Sequence, residues 1–209
     1  MTAAVITLLV GYVLGSVQPG LIVGRLWRGV DVREYGSGKT GFTNTLRTLG
    51  LVPALIVVAG DIGKGVIPVL VGHFVFGSSW AATLGGVGAV IGHTWPVFAG
   101  FRGGRGVATS FGAFLAMAPL AATAAILAGL AILAVTRYVS LMSMIGVALG
   151  LAVMVVFVYL GRLSPEYLVF GVVVTASVEL NHLSNLRRLL SGTEPKLGQG
   201  GVPRAPGAA

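Results

Sequence analysis

Residues 36–41 read GSGKTG, and the fold class turns on what that hexapeptide is. Its end matches a nucleotide-binding P-loop, which closes on Gly-Lys-Ser/Thr. The P-loop pattern also requires another Gly five positions before the Gly that precedes Lys, a buried strand upstream and a helix downstream. The required position is Arg33, and the upstream stretch VDVREY is short and charged. No soluble α/β pattern follows it. A nucleoside triphosphatase is set aside, and the loop is read as another kind of anion site.

The rest of the chain is apolar. Hydrophobic residues make up 55% of 209 and charged residues 10%, with a mean hydropathy of +0.92. A soluble domain carries about 25% charged residues, so this is an all-α integral membrane protein. There is no cysteine, which excludes disulfides and thiolate metal sites. The formal charge of +8 reports topology first, because cytoplasmic loops keep Lys and Arg. An anionic substrate is the second reading. The charges are divided among loops of an apolar chain, which argues against nucleic acid. The first apolar run lacks a basic leader and an A-x-A site, and is read as a retained span.

A membrane helix needs about 20 apolar residues, with a range of about 17–25. Residues 3–23 form one such run. A basic loop follows over 25–50. The next runs are 51–76, interrupted by Asp61 and Lys64, and the Gly-rich 80–98. The run 107–135 is too long for one simple crossing and carries Pro119 in its middle. Runs at 141–160 and 167–180 complete the set. If loop 25–47 is cytoplasmic, two crossings return the chain to the same side at Arg102 and Arg105. Splitting 107–135 at Pro119 then also brings Arg187, Arg188 and Lys196 inside, as the positive-inside rule prefers. The expectation is about seven membrane helices, some short or broken, with the N-terminus outside and the C-terminus cytoplasmic. They form one polytopic domain over 1–198, with a disordered tail over 199–209.

Three polar clusters then share one face of the membrane. In REYGSGKTGFTNTLRTLG (33–50), Gly36, Gly38 and Gly41 let backbone amides turn toward an anion. Ser37, Thr43 and Asn44 add donors, and Lys39 and Arg47 add charge. In GHTWPVFAGFRGGRGVATSFG (92–112), Gly103, Gly104 and Gly106 surround Arg102 and Arg105. Thr109 stands where a helix would begin, and a helix N-terminus favours phosphate. His93 closes a span. In NHLSNLRRLLSGTEPKLG (181–198), His182, Asn185 and either Arg188 or Leu189 share a helix face by spacing, and Glu194 follows a Gly-Thr pair. The plain alternatives are polar loops obeying charge topology, close helix packing at the glycines, and a basic patch meeting anionic lipid. Asp61 and Lys64, three apart in an apolar run, suit an ion pair or a functional group. Ser140 and Ser143 lie at helical spacing in YVSLMS. Six acidic residues over the chain offer little for a metal site, so a phosphate would be met by Arg, Lys and amides.

These stretches together resemble one family: the bacterial acyl-phosphate:glycerol-3-phosphate acyltransferases, the PlsY family. The matching pieces are GS near Gly15, YGSGKTGFTNTLRTLG, DIGKG, GHTWPVFAGFRGGRGVAT, YVSLMS and HLSNLRRLLSGTE, in the family's order and over nearly the whole chain. The resemblance implies a seven-helix enzyme of the bacterial cell membrane, with its motif loops facing the cytoplasm. It implies transfer of a fatty acyl group from acyl phosphate to the 1-hydroxyl of sn-glycerol 3-phosphate, giving lysophosphatidic acid and phosphate. It implies no cofactor or metal, no thioester donor and no obligate protein partner beyond membrane lipid. Ser37, Arg47, Arg105 and Asn185 would hold glycerol 3-phosphate or its phosphate, and the loop from Gly36 to Asn44 would cradle a phosphoryl group. His182 and Ser143 would sit at the reacting centre. Thr43, Asn44 and His93 would line or support it, and Asp61–Lys64 would serve the same pocket or brace it. The chain departs from the family pattern at Lys39 (usually Asn), at Phe42 (usually small), at Gln18-Pro19 (Pro one place earlier) and at Arg102 and Arg105 (usually Lys). The other class weighed is a carrier for phosphate or an organophosphate, using the same basic clusters with access from both sides.

Overall fold

Proline and glycine set where the helices stop. The structure, a computed structural model, describes residues 1–199; apart from Gln199, the tail expected to be disordered lies outside them. Helix α1 (Thr2–Ser16) ends at Val17 in extended backbone, and α2 (Pro19–Arg28) restarts with Pro19 in its first turn. Proline lacks the N–H that a helix interior needs but suits a first turn, so the single helix expected over 3–23 is two. Helix α2 ends at Gly29, in the left-handed conformation with φ 66°. After the GSGKTG loop, the short α3 (Phe42–Leu49) meets α4 (Leu51–Leu70) at Gly50, and α4 runs on into a π-turn, Val71–Val75. Helix α5 spans Ser79–Thr94. The expected break at Pro119 separates α6 (Val107–Met117) from α7 (Pro119–Thr136). Helices α8 (Val139–Tyr159), α9 (Tyr167–Asn181) and α10 (Leu183–Leu190) complete the chain, with α10 bent 54° from α9 across His182.

Among the described residues the fold is all-helical. Four runs are long and apolar enough to cross a membrane: Thr2–Arg28, Leu51–Val75, Pro119–Thr136 and Val139–Tyr159. The bent pair α9–α10 makes a fifth. Helix α5 has 16 residues and α6 has 11, and neighbouring helices shelter both, as short segments at membrane depth require. Large apolar side chains such as Leu9, Val13, Leu127 and Val156 point outward and are exposed.

Helix α5 lies at the centre, side by side with α1 and running the same way. The Thr7 hydroxyl donates to the Ala81 carbonyl at 2.7 Å near one end, and the Tyr12 hydroxyl donates to the Trp95 carbonyl at 3.1 Å near the other. Lipid tails are as apolar as leucine, so helices in a membrane associate by close packing of small residues. Here a Cβ at Gly11 or Gly15 would collide with the Gly85 or Ala89 carbonyl, and one at Gly88 or Gly92 with the Leu8 or Tyr12 carbonyl. Helices α4 and α6 repeat the device: Gly65 abuts the Thr109 carbonyl and Gly112 that of Ile62. The larger apolar cluster fills the space among α5–α9, around Phe114, Met154, Phe170 and Val174.

All of the motif loops gather at one end. Arg33 donates to the Ala99 carbonyl at 2.9 Å, linking the loop after α2 to the loop after α5. Arg47 reaches the Pro195 carbonyl at 3.4 Å, and the Leu197 N–H donates to the Arg137 carbonyl at 2.8 Å. The packing predicts a contrast between two single-methyl insertions. Gly88→Ala pushes a methyl into backbone and lowers stability by at least about 1–3 kcal/mol. At Gly63 a Cβ meets nothing within 4 Å, and Gly63→Ala stabilises by about 0.5–1 kcal/mol. Thermal unfolding in detergent, followed by circular dichroism, checks both.

Candidate active site

Left-handed glycines shape the first loop: Gly36 has φ 49° and Gly38 φ 67°, values that other residues avoid. Asn44 pegs the loop from inside. Its carbonyl oxygen accepts the Ser37 N–H at 3.0 Å, and its amide donates to the Val32 carbonyl at 2.7 Å and the Lys39 carbonyl at 2.9 Å. Gly41 caps α3, whose first amides, from Phe42 to Asn44, have no partner within the helix and suit an anion. Arg47 lies in the last turn of the same helix.

A buried polar frame stands beside this loop. The Thr40 hydroxyl donates to Gln18 Oε1 at 2.6 Å; Gln18 Nε2 donates to the His93 carbonyl at 3.3 Å and to the Gly15 carbonyl at 3.2 Å. The same His93 carbonyl accepts the Gly104 N–H at 3.1 Å, and Thr94 accepts that of Gly103 at 3.3 Å. Gly104 is obligatory, because a Cβ there would collide with His93 Nε2. Asp61 Oδ1 lies 2.9 Å from Lys64 Nζ and 3.2 Å from His93 Nδ1; these contacts have ion-pair distance without hydrogen-bond alignment. Lys64 donates to the Val17 carbonyl at 2.6 Å, where the α1 break leaves an acceptor open.

The charged centre lies where α3, the second glycine loop and α10 meet. Arg47, Arg105 and Arg188 share the field of Glu194. Asn185 donates to Glu194 Oε1 at 2.6 Å, and Arg188 to Oε2 at 2.7 Å. Burial pushes the Glu194 carboxyl up, but these hydrogen bonds, one from Ser140 and the Arg188 charge outweigh it and hold the group below its ordinary value. Burial, with Arg188 and Arg47 adding to it against Glu194, pushes Arg105 down to about 10, so it stays charged at neutral pH. Burial also lowers Arg47. Several buried atoms here lack hydrogen-bond partners: Arg47 Nε, Arg105 Nε and Asn185 Oδ1. Each such group costs about 1–3 kcal/mol, and an oxyanion would satisfy the donors.

His182 sits at the α9–α10 bend, 1% exposed. Its Nδ1 is 2.8 Å from the Val178 carbonyl. A carbonyl only accepts, so Nδ1 carries the proton and Nε2 is left as a base. The Ser143 hydroxyl donates to the Val139 carbonyl at 2.8 Å; its proton goes to backbone, not to a base. Ser143 also opens an apolar groove between α6, α7, α8 and α9, lined by Phe111, Gly146, Gly150 and Met154 among others.

The family described as Glycerol-3-phosphate acyltransferase matches residues 5–192. A protein of that name from Parasynechococcus marenigrum is 42% identical over 94% of this chain and 91% of its own length. Crystal structures of PlsY (YgiH), an integral membrane glycerol 3-phosphate acyltransferase, superpose closely. Its glycerol 3-phosphate form has TM-score 0.86 and 37% identity over 93% of this chain and 96% of that one. Its lysophosphatidic acid form has TM-score 0.84 and 36% identity over 93% and 95%. The chain belongs to the glycerol-3-phosphate acyltransferase family. Membership sets it in phospholipid biosynthesis.

Of the residues that sequence reading assigned to substrate in this family member, the structure gathers Arg47, Arg105 and Asn185 into one charged centre, with the Gly36–Gly41 loop and Thr43 on the helix that carries Arg47. Lys64 and His93 stand in the frame with Asp61. The amides of Gly103 and Gly104 are already bonded to the end of α5, Arg102 is exposed, and Gly106 caps α6 with φ 85°. Thr109 is wholly buried with its hydroxyl unpartnered. His182 is the N-cap of α10, its carbonyl accepting the Leu186 N–H at 2.9 Å, and Asn185 lies in the first turn of that helix, beyond the bend from α9. Sequence reading left Gln18 and Thr40 out of the site. Their one signal was the displaced proline, which frees position 18 to carry a polar side chain.

The frame predicts coupled effects. Gln18→Leu and Thr40→Val each raise the KM for glycerol 3-phosphate by about tenfold, the scale of one buried hydrogen bond left half made. The double variant is no worse than either single one, and Thr40→Ser stays near wild type. Steady-state kinetics on the four variants checks this as a double-mutant cycle.

Proposed function

We propose that the chain transfers a fatty acyl group from acyl phosphate to the 1-hydroxyl of sn-glycerol 3-phosphate, releasing 1-acylglycerol 3-phosphate (lysophosphatidic acid) and phosphate. The observation that carries this reading is a junction. An arginine centre with unpartnered buried donors stands next along the chain to an apolar groove whose lining includes Val107, two residues after Arg105, and Ser143, three after the Ser140 that bonds Glu194. The centre suits two anions, and the groove suits an acyl chain. Acyl phosphate is an activated donor with a good leaving group, so holding two reactants in register supplies much of the rate.

In this reading Arg47, Arg105 and Asn185 hold phosphate, with Ser37, Lys39 and the amides of the first loop beside them. The glycerol hydroxyl attacks the acyl carbonyl, and its proton passes to His182 Nε2. The carbon–oxygen bond to phosphate breaks and inorganic phosphate leaves. Ser143 lines the groove where the acyl group enters; its hydroxyl proton is held by Val139, which speaks against an acyl-enzyme. Among the described residues no three His, Asp or Glu side chains converge on one point, and the anionic charge is met by arginine.

The positive-inside rule supports a cytoplasmic site in the bacterial plasma membrane. Arg33, Arg47, Arg105, Arg137 and Arg188 lie at the end where the motif loops meet, and Arg162 follows α8 at its far end. Counting α5 and the short α6 with the five long runs gives seven crossings, an outside N-terminus and a cytoplasmic C-terminus. The carrier reading draws on the same clusters but gains no support from a site gathered at one end.

Purified protein supplied with palmitoyl phosphate and glycerol 3-phosphate releases phosphate and lysophosphatidic acid in equal amounts. Arg47→Ala lowers kcat/KM by about 10–100-fold, the worth of one or two hydrogen bonds to a charged group. Intact-mass spectrometry during turnover finds no acyl adduct. An acyl-Ser143 adduct would overturn the direct attack, and phosphate without lysolipid would overturn the acceptor.

A further inference from the structure

We infer that Met154 is the chain-length stop of the acyl groove, and that Gly146 and Gly150 keep the groove open above it. This inference rests on the proposed acyl transfer and names its preferred donor by length. The α8 residues lining the groove recur at helical spacing: Met142, Ser143, Gly146, Val147, Gly150, Leu151 and Met154. They form one stripe facing the groove. From Ser143 at the reacting end to Met154 the stripe runs about 16 Å, at roughly 1.5 Å per residue. That is the reach of a mid-length to long saturated acyl chain.

The two ends of the stripe differ. At the polar end the lining includes Ser110, Ser143 and Thr175. At the far end the groove closes on Phe114, Met154 and Phe170, which are 7%, 1% and 2% exposed. Met154 is packed: its Sδ lies 3.1 Å from where a Cβ on Gly171 would stand. Methionine is unbranched and adaptable and fills an irregular end well. The missing side chains above it are what leave the groove its width. A Cβ on Gly146 would meet no atom within 4 Å, and one on Gly150 would stand 3.2 Å from the Phe114 ring. Ordinary membrane packing does not require a glycine at an uncrowded place such as Gly146; its close packing is at Gly11, Gly15, Gly88 and Gly92.

The stop predicts opposite shifts from two substitutions. Met154→Ala deepens the end of the groove, and Gly146→Leu fills it nearer the reacting end. Purified full-length protein is given glycerol 3-phosphate and an equimolar mixture of saturated acyl phosphates from octanoyl to eicosanoyl. Lysolipid products are resolved by mass spectrometry, so each sample carries its own reference. Met154→Ala moves the product distribution to longer chains, raising the ratio of long to wild-type-preferred product about tenfold, the discrimination a single methylene gives in an apolar pocket. Gly146→Leu moves it to shorter chains by a similar factor. Gly63→Ala, remote from the groove lining, keeps the wild-type distribution. Active variants that both keep the wild-type distribution overturn the stop while leaving the transfer standing. If one variant fails to fold, the direction of shift in the other decides. Absence of lysolipid from wild-type protein at every chain length overturns the transfer itself, and the stop with it.

Discussion

A backbone carbonyl released from a helix inside a membrane must find a donor, and at the α1 break that donor is Lys64. The 2.6 Å bond from Lys64 to Val17 makes the break at Gln18-Pro19 tolerable. A lysine at this depth needs a counter-charge, which Asp61 supplies at 2.9 Å. Asp61 also faces the His93 ring, and the His93 carbonyl holds both Gln18 and Gly104. Gln18 in turn holds Thr40. The two glycine loops are therefore tied, through few steps, to the same broken turn of α1. The loops sit where they do because that turn is open.

Glycine serves two unlike purposes in this chain. In α1, α4, α5 and α6 it lets backbones touch, which brings α4 and α5 close enough for Asp61 to face both Lys64 and His93. In the loops it supplies left-handed turns at Gly36, Gly38 and Gly106. The two uses depend on each other. A wider α1–α5 spacing would part Gln18 from the His93 carbonyl, and no loop geometry would then restore the link between Thr40 and Gly104.

Much of this was legible in the sequence. Apolar runs gave the membrane class, Pro119 gave the break between α6 and α7, and the spacing of Asp61 and Lys64 gave their pairing. The gathering of the basic clusters at one end followed from charge alone. The α1 break was not legible, because the apolar pattern runs through it and Pro19 suits a helix start as well as a helix end. Contacts such as Thr40–Gln18, 22 residues apart, leave no periodic trace. Asn44 reads as a donor for ligand, yet its three bonds hold the loop. Glu194 reads only as an acid after a Gly-Thr pair, yet its carboxylate organises Asn185 and Arg188. The site residues of the resemblance could be named, but which of them face the charged centre and which brace it depends on distances that spacing does not encode.

The site has two halves with opposite solvent needs. Arginines hold anions best when partly desolvated but still near water, since burial already pulls Arg105 down to about 10. An acyl chain gains by leaving water altogether, at about 0.8 kcal/mol per methylene. A site wholly in the loops would forfeit the second gain, and one at mid-membrane would neutralise the first. Ser143 stands one turn inside α8 and lines the groove, which in the proposed reading sets the acyl carbonyl at the boundary between them. The bent α9–α10 junction places the buried His182 at the start of α10, whose Arg188 remains in the charged centre. The division of the bundle into a glycine-tight half and a groove-bearing half follows from that requirement: one half must hold the loops rigid, and the other must yield space to a chain.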